Sequence, residues 1–423
     1  MELVNPGSPP NVQKKKSPNR KPTGERSNQK PNEAPCFIDQ LPNEILVSIF
    51  TYLKPKELLY GAGLVSKRWY ELACDTKVWQ KSTYCLWDDI RIWRHAPVIG
   101  HLEVLAPNEV EVEKVRQLAL SPNPASIRSM RIILRHPKDS IAILQRYDKT
   151  LRTLDLQVAG QDAQPHEWKE FFDTIGSLAE LRSLSVRISP NSSDIPYDKQ
   201  ISAGCRSLRS LRVRGQETIA AAIVRDLGSV VASLTITCSF AESSVQLIRS
   251  LSACSAVEDV TIPCSMIAAV GHFSSLKCLK IIADHGPLNL SEAINAAKPV
   301  ILKIERLEVC ASRHQLTPNV AINQCVAGFA PFLKKCKLVD LRGLHSLDEY
   351  LSEFIQEAEK VQRYYLCCRV YHLMQLEFMP AVTFVHAILD EQTMFVPYVM
   401  DAVNRLKQHP KKTFKVFFHC LNS

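Results

Sequence analysis

The sequence predicts an α/β solenoid preceded by a short three-helix module. Three observations carry that reading. Leu151-Arg152-Thr153-Leu154-Asp155-Leu156, Leu181-Arg182-Ser183-Leu184-Ser185-Val186, Leu208-Arg209-Ser210-Leu211-Arg212-Val213 and Leu276-Lys277-Cys278-Leu279-Lys280-Ile281 are near-copies of one strand pattern. Apolar stripes at helical spacing fill the intervals between such hexads. Upstream, residues 36–82 hold three short helical stripes in one block.

The composition sets the bounds. A chain of 423 residues exceeds what one compact core normally holds, so two or more folded units are expected. Apolar residues make up 46% and charged residues 22%, ordinary usage for a water-soluble globular chain. No apolar run is long enough to span a membrane, and no secretory signal is recognisable. The 14 cysteines are scattered with no Cys-x-x-Cys pair. They read as reduced, buried, small apolar side chains in a cytoplasmic or nuclear protein, and no metal site is assigned. Cys367, Cys368 and His372 form the nearest approach to a ligand cluster.

Residues 1–35 form a basic tail with seven Lys/Arg against three Glu and few apolar residues, too few to offset the entropy of ordering. Lys14-Lys15-Lys16-Ser17-Pro18-Asn19-Arg20-Lys21 fits a nuclear-import signal, a nucleic-acid contact or a solvated tail. Ser17-Pro18 also fits a proline-directed phosphorylation site. The formal net charge of +9 suggests acidic partners without naming one.

Order is expected from Cys36. Asp39-Gln40-Leu41-Pro42-Asn43-Glu44 starts a helix whose dipole favours the early acidic residues. Ile45, Leu46, Ile49, Phe50 and Leu53 give its apolar stripe, and Lys54-Pro55 ends it. A second helix carries Leu58 and Leu59 before Gly61-Ala62-Gly63 interrupts. A third presents Leu64, Val65, Trp69, Leu72 and Ala73, and Val78-Trp79 closes the block. So short a block is either the first subdomain of a larger core or a module completed by a partner protein.

The order of residues chooses between these. Leu41-Pro42-x-Glu44-Ile45-Leu46-x-x-Ile49-Phe50-x-x-Leu53, Leu58, Val65-Ser66-Lys67-Arg68-Trp69-x-x-Leu72-Ala73 and Trp79 together resemble the F-box. The Gly61-Ala62-Gly63 stretch departs from that family, which often carries polar or bulkier residues there.

Residues 83–114 read as a linker and 115–423 as the array. A loose Leu-x-x-Leu-x-Leu-like pattern begins at Val115, Ile127, Leu151, Leu181, Leu208, Val231, Val257, Leu276, Ile304, Cys336 and Val361. Most successive starts lie 19 to 32 residues apart. The intervening stripes include Trp168, Phe171, Phe172 and Ile175; Val245, Ile248 and Leu251; and Leu347, Leu351, Phe354 and Ala358. A strand-then-helix unit of this kind cannot bury its apolar face alone and stacks on its neighbours. The pattern resembles a divergent leucine-rich-repeat array, irregular because the asparagine of regular repeats is missing after most strands. An ordinary α/β domain competes with it. Residues 362–423 fit worst and read as a cap.

No phosphate-binding loop, dinucleotide fingerprint, nucleophile elbow or His-Glu-x-x-His motif occurs, so no catalytic residue and no cofactor is assigned. Alternation along the strands sends the leucines inward and Thr153, Asp155, Gln157, Ser183, Ser185, Arg187, Ser210, Arg212 and Arg214 to an open, concave face. Ser233, Thr235, Thr237, Asp259, Thr261, Cys278, Lys280, Arg306, Glu308, Asp340 and Arg342 continue it. Arg187, Arg212, Arg214, Lys280 and Arg306 form a candidate patch for an acidic or phosphorylated segment, since Arg pairs with phosphate through two parallel hydrogen bonds. Ordinary solvated arginines beside acidic neighbours are the alternative.

The F-box resemblance implies that Leu41, Pro42, Ile45, Leu46, Ile49, Leu58, Val65 and Trp69 build or support the surface docked by a Skp-family adaptor. Through that adaptor a cullin would join. The chain would then be a non-catalytic substrate-recognition subunit of an SCF-type ubiquitin ligase, acting by holding a protein substrate near activated ubiquitin. A protein-interaction scaffold without ligase output is the alternative. Neither a membrane nor a nucleic acid is an expected partner, because no reader motif or aromatic-interleaved basic surface accompanies the tail.

Overall fold

The computed structural model describes residues 37–419, apart from 87, 89, 107, 122–125, 161–162, 190–203, 238–244, 283–288, 311–319, 343–347 and 391–396. The basic tail, with the import and phosphorylation readings placed on it, lies outside the described residues, as do Cys36 and Leu347. The described residues divide into two units, with the boundary between Leu46 and Val47.

In the first unit a single 3-10 turn, Phe37–Gln40, leads into helix α1 (Asn43–Phe50), whose last four residues belong to the second unit. The Pro42 carbonyl accepts from the Ile45 and Leu46 N–H groups, and Glu44 occupies the first turn, where a carboxylate complements the helix dipole.

The second unit opens with three more short helices, each with a local reason to begin. In α2 (Pro55–Tyr60), Pro55 takes the first position, where its missing N–H costs nothing, and the Lys54 N–H donates to the Glu57 carboxylate at 2.9 Å. In α3 (Lys67–Ala73), the Ser66 hydroxyl accepts from the Trp69 N–H at 3.2 Å. In α4 (Thr76–Trp79), Asp75 accepts from the Lys77 N–H at 2.7 Å. The glycines expected to interrupt α2 do so: a 3-10 turn, Ala62–Leu64, follows it. A Cβ on Gly61 would stand 2.7 Å from the Glu57 carbonyl oxygen, so the chain can close on its own helix end only with glycine there. Trp79 is fully buried, its indole N–H donating to the Ala73 carbonyl at 2.7 Å.

Strands follow in sequence: β1 (Thr83–Cys85), β2 (Val98–Ala106), β3 (Ser126–Leu134), β4 (Thr153–Val158), β5 (Ser183–Ile188), β6 (Ser210–Arg214) and β7 (Ser233–Ile236). They continue as β8 (Asp259–Pro263), β9 (Cys278–Ile282), β10 (Arg306–Cys310), β11 (Leu338–Asp340), β12 (Arg363–Cys368), β13 (Phe384–Asp390) and β14 (Thr413–His419). These form one 14-stranded sheet in strict chain order, and every pairing is parallel. Among the described residues, helices or 3-10 turns occupy every interval except that between β5 and β6, as in Pro165–Gly176 between β4 and β5 and Glu217–Leu227 between β6 and β7. Each unit therefore stacks on its predecessor, the topology of a solenoid.

The leucine pattern explains the core. In the hexads, Leu154, Leu184, Leu211 and Leu279 are fully or almost fully buried and fall on one row. Tyr84, Leu102, Met130, Leu234, Val260, Leu307, Val339, Tyr364, Val385 and Phe414 complete that row across the sheet. Burying one such side chain is worth about 1.5–3 kcal/mol, so the inner rows dominate the array's cohesion. The stripe Trp168, Phe171, Phe172 and Ile175 is buried as expected on its helix, with the rings of Trp168 and Phe171 edge to face at 5.8 Å.

Three expectations differ from the structure. Val115 starts no strand: it sits in the helix Glu109–Leu120, capped by Asn108, where Val112, Val115, Leu118 and Ala119 share one buried face. Three-residue apolar spacing suits that helix as well as a strand. Residues 83–114 are not a linker, because β1, the helix Ile90–His95 and β2 belong to the array. Ile99-x-x-Leu102-x-Val104 has the strand spacing and is buried throughout. The segment 362–423 contributes β12–β14 as full sheet members, disguised by Tyr364, Ala387 and Phe414 at the leucine positions.

Candidate functional site

Two surfaces invite a partner: the helical module and the outer face of the sheet. In the first unit, Pro42 and Ile45 are exposed, Leu41 is half-buried and Leu46 is buried. In the second, Phe50 is buried with Trp69 edge-on at 5.2 Å, and Leu58, Leu59, Val78 and Trp79 are buried around them. Outside this core the module exposes Ile49 (43%), Tyr52, Leu64 (74%) and Val65 (59%) to solvent. Exposed apolar side chains are what a partner protein covers where they form a contiguous patch.

The sequence-predicted docking residues therefore divide. In the first unit Pro42 and Ile45 are at the surface, Leu41 is partly buried and Leu46 is buried; in the second Ile49 and Val65 are at the surface, Trp69 is partly buried and Leu58 lies in the core. Tyr52 and Leu64 are exposed apolar residues outside the predicted docking set, and Leu64, expected on the third helix with Val65, instead ends a 3-10 turn ahead of α3. Helical spacing does point to Tyr52, three residues after Ile49, whereas Leu64 depends on the 3-10 turn after Gly61.

On the sheet, the outer residues are those that strand alternation predicts. Parallel register sets Glu103, Arg131, Asp155, Ser185, Arg212, Thr235, Thr261, Lys280, Glu308, Asp340, Tyr365, His386 and Lys415 side by side. Charges at both ends of this row are matched. Arg131 lies 3.5 Å from Glu103 and 3.6 Å from Asp155. Glu308 lies 3.3 Å from Lys280 and also pairs with Arg306, and Arg342 grips Asp340 at 2.6 Å. Burial works against the Lys280 ammonium, yet Cys310 and Glu308 hold it above its usual range.

The five predicted basic residues consequently fall into two groups. Lys280 and Arg306 are neutralised by one carboxylate. Arg187 pairs in register with Arg214, Arg212 sits between Ser185 and Thr235, and Arg187 donates to the Gln157 side chain at 3.2 Å. Among the described residues, none of Arg187, Arg212 and Arg214 has a carboxylate at ion-pair distance.

The last units carry a different surface. On the outer face of β12–β14, Tyr365 stacks on His386 at 5.6 Å and His386 on Phe417 at 4.8 Å, with Phe384 5.5 Å from Tyr365. Arg342 lies over the Tyr365 ring and Lys415 over Phe384, at 4.8 and 5.8 Å. Burial, then Arg342 and Lys415, hold the His386 imidazole below its usual pKa, which favours its neutral, stacking form. The same alternation that places Thr153 and Asp155 outward would have found these residues in segments read as a cap.

Cys368 and His372 are buried and Cys367 is half-buried. The Arg369 N–H donates to His372 Nδ1 at 3.3 Å, a helix-start contact. Among the described residues no group of three or more His, Cys, Asp or Glu side chains could hold a metal ion. No helix among them is long and apolar enough to cross a membrane.

A family model described as F-box-like matches residues 38–85. No curated protein matches the chain. Among solved structures, the leucine-rich repeat-containing protein LegL7 from Legionella pneumophila is similar at a TM-score of 0.41 and 13% identity, over 72% of this chain and 97% of that one. The chain thus carries an F-box-like domain, a protein-interaction module, followed in sequence by a solenoid-like array of parallel strand units with leucine-rich inner rows.

Proposed function

We propose that this protein is the non-catalytic substrate-recognition subunit of an SCF-type ubiquitin ligase, working in the cytoplasm or nucleus. The observation that carries the reading is the F-box-like match over residues 38–85, on a module that leaves Ile49, Leu64 and Val65 exposed. A Skp-family adaptor would cover those side chains, with Leu41, Pro42, Ile45 and Trp69 contributing and Leu46 and Leu58 holding the helices beneath them. A cullin would join through the adaptor. The array would receive a protein substrate on its outer face, with Arg187, Arg212 and Arg214 as anion-binding residues. Lys280 and Arg306 become secondary, since Glu308 satisfies both. The contribution to chemistry is proximity: a substrate lysine held near activated ubiquitin reacts as if in one molecule.

Co-purification from cells tests the assignment. Adaptor and cullin should both accompany the chain, and Ile49→Asp/Val65→Asp should release them without unfolding it. Retention of the adaptor by that variant would refute the docking surface. Adaptor and cullin binding with no substrate turnover would favour the scaffold reading. For the patch, Arg187→Ala/Arg212→Ala/Arg214→Ala should weaken binding of acidic and phosphorylated peptides, and unchanged affinity for both would remove it.

A further inference from the structure

A second set of arginines lies at the strand starts, Arg128 within β3 and Arg152, Arg182 and Arg209 immediately ahead of β4, β5 and β6, where backbone hydrogen bonds link one unit to the next. The Arg152 N–H donates to the Arg128 carbonyl, Arg182 to Arg152 and Arg209 to Arg182, each at 2.8 Å. All four side chains are exposed. The same ladder runs on through Ala232, Glu258, Lys277, Glu305 and Lys337. There the signs alternate, with Lys277 2.8 Å from Glu258 and Lys337 3.7 Å from Glu305. The later units thus serve as an internal control, because one backbone position is self-neutralised in them and uniformly cationic on β3–β6. Among the described residues, none of the four arginines has a carboxylate at ion-pair distance. The sheet face agrees, since Arg187, Arg212 and Arg214 on β5 and β6 also lack one.

We propose that the Arg128, Arg152, Arg182 and Arg209 ladder docks an extended acidic segment of a protein substrate. The proposal rests on reading the array as the substrate-receiving part of the chain. Charge complementarity defines the occupant, and spacing narrows it. Neighbouring strands lie about 4.8 Å apart, so four rungs span about 14 Å. An extended peptide advances about 6.8 Å per two residues, so carboxylates at i, i+2 and i+4 cover the same length on one side of its backbone. Each Arg fork can take a carboxylate through two parallel hydrogen bonds. A single-stranded nucleic acid fits less well, because it would call for aromatic stacking platforms. Among the described residues, β3–β6 and the segments joining them expose no Phe, Tyr or Trp side chain.

The test uses the full chain co-produced with a Skp-family adaptor. Fluorescence anisotropy compares a labelled decapeptide with Glu at alternate positions, its Gln counterpart, and an oligothymidylate of equal charge. The Glu peptide should bind saturably and more weakly as salt rises, and the Gln peptide should not bind. Arg152→Gln/Arg182→Gln should weaken the Glu peptide about tenfold or more, as loss of two charge-assisted contacts implies. Lys277→Gln/Lys337→Gln removes equal charge from the neutralised rungs and should change affinity less than about twofold. The ladder is overturned if both double variants lose equally, if the Gln peptide binds as well as the Glu peptide, or if the oligonucleotide binds more tightly. Adaptor retention is read on the same preparations. Its loss from the unaltered chain counts against the ligase reading, whereas retention without Glu-peptide binding counts against the ladder alone.

Discussion

Leu58 and Leu64 stand six residues apart in the module, and the structure gives them opposite work. Leu58 is fully buried in the core, while Leu64, on the 3-10 turn, is 74% exposed. Leu58→Ala leaves a cavity and should cost about 2–5 kcal/mol of module stability. Leu64→Ala removes a solvated side chain and should change stability by no more than about 0.5 kcal/mol. Adaptor binding reverses the order. Complete coverage of Leu64 would take roughly 130 Å² of apolar surface out of water, worth about 3 kcal/mol as an upper bound. Truncation to Ala forfeits roughly two thirds of that, about 2 kcal/mol, or about thirtyfold in Kd. Urea unfolding followed by tryptophan fluorescence reads the first effect, since Trp69 and Trp79 report on the module. Titration calorimetry with a purified Skp-family adaptor reads the second. An adaptor Kd within threefold of the unaltered chain for Leu64→Ala would refute the docking surface. Leu58→Ala with an unchanged unfolding midpoint would refute the core.

Three other outcomes follow from the array. Glu308→Gln frees Lys280 and Arg306 from their shared carboxylate, but β10 lies four strands beyond β6, roughly 19 Å and more than a Debye length, so affinity for the Glu peptide should change less than about twofold, measured by anisotropy. Gly215→Ala should lower stability by about 1–3 kcal/mol in urea, because φ is +142° and a Cβ there would stand 2.4 Å from the Ile188 carbonyl oxygen. Acidification should weaken the array through His386 and His101, both held below the ordinary imidazole pKa first by burial. Below about pH 6.5 the unfolded chain binds protons that the folded one refuses, so the unfolding midpoint falls from pH 7.5 to 5.5. His386→Phe should reduce that drop.

The fold was legible wherever one residue type repeats at one spacing. The four hexads placed β4, β5, β6 and β9, and strand alternation predicted which residues face outward from them. It failed where other side chains take the leucine position, as Tyr364 and Phe414 do, because a core row accepts any apolar group that fills its volume. It also failed at Val115, where helix and strand share a three-residue step. At β1 and β2, a search keyed to leucine passed over Ile99-x-x-Leu102-x-Val104.

The site was less legible, for a reason that differs between its two parts. In the F-box-like module the exposure of an apolar residue depends on a turn: Gly61 closes the chain on α2, and that closure presents Leu64 while α2 itself buries Leu58. On the array, basic residues can be counted from sequence but their neutralisation cannot, because Glu308 meets Lys280 only through the register of β9 and β10. Register is a property of units nearly thirty residues apart in the chain. Stacking is also what makes the charge pattern informative. Every unit offers the same backbone position, so a rung that keeps a bare arginine where later rungs carry a Glu–Lys pair departs from the array's own rule. Four such rungs in succession concentrate uncompensated charge on β3–β6, and on β5 and β6 the sheet-face arginines Arg187, Arg212 and Arg214 also have no carboxylate at ion-pair distance among the described residues.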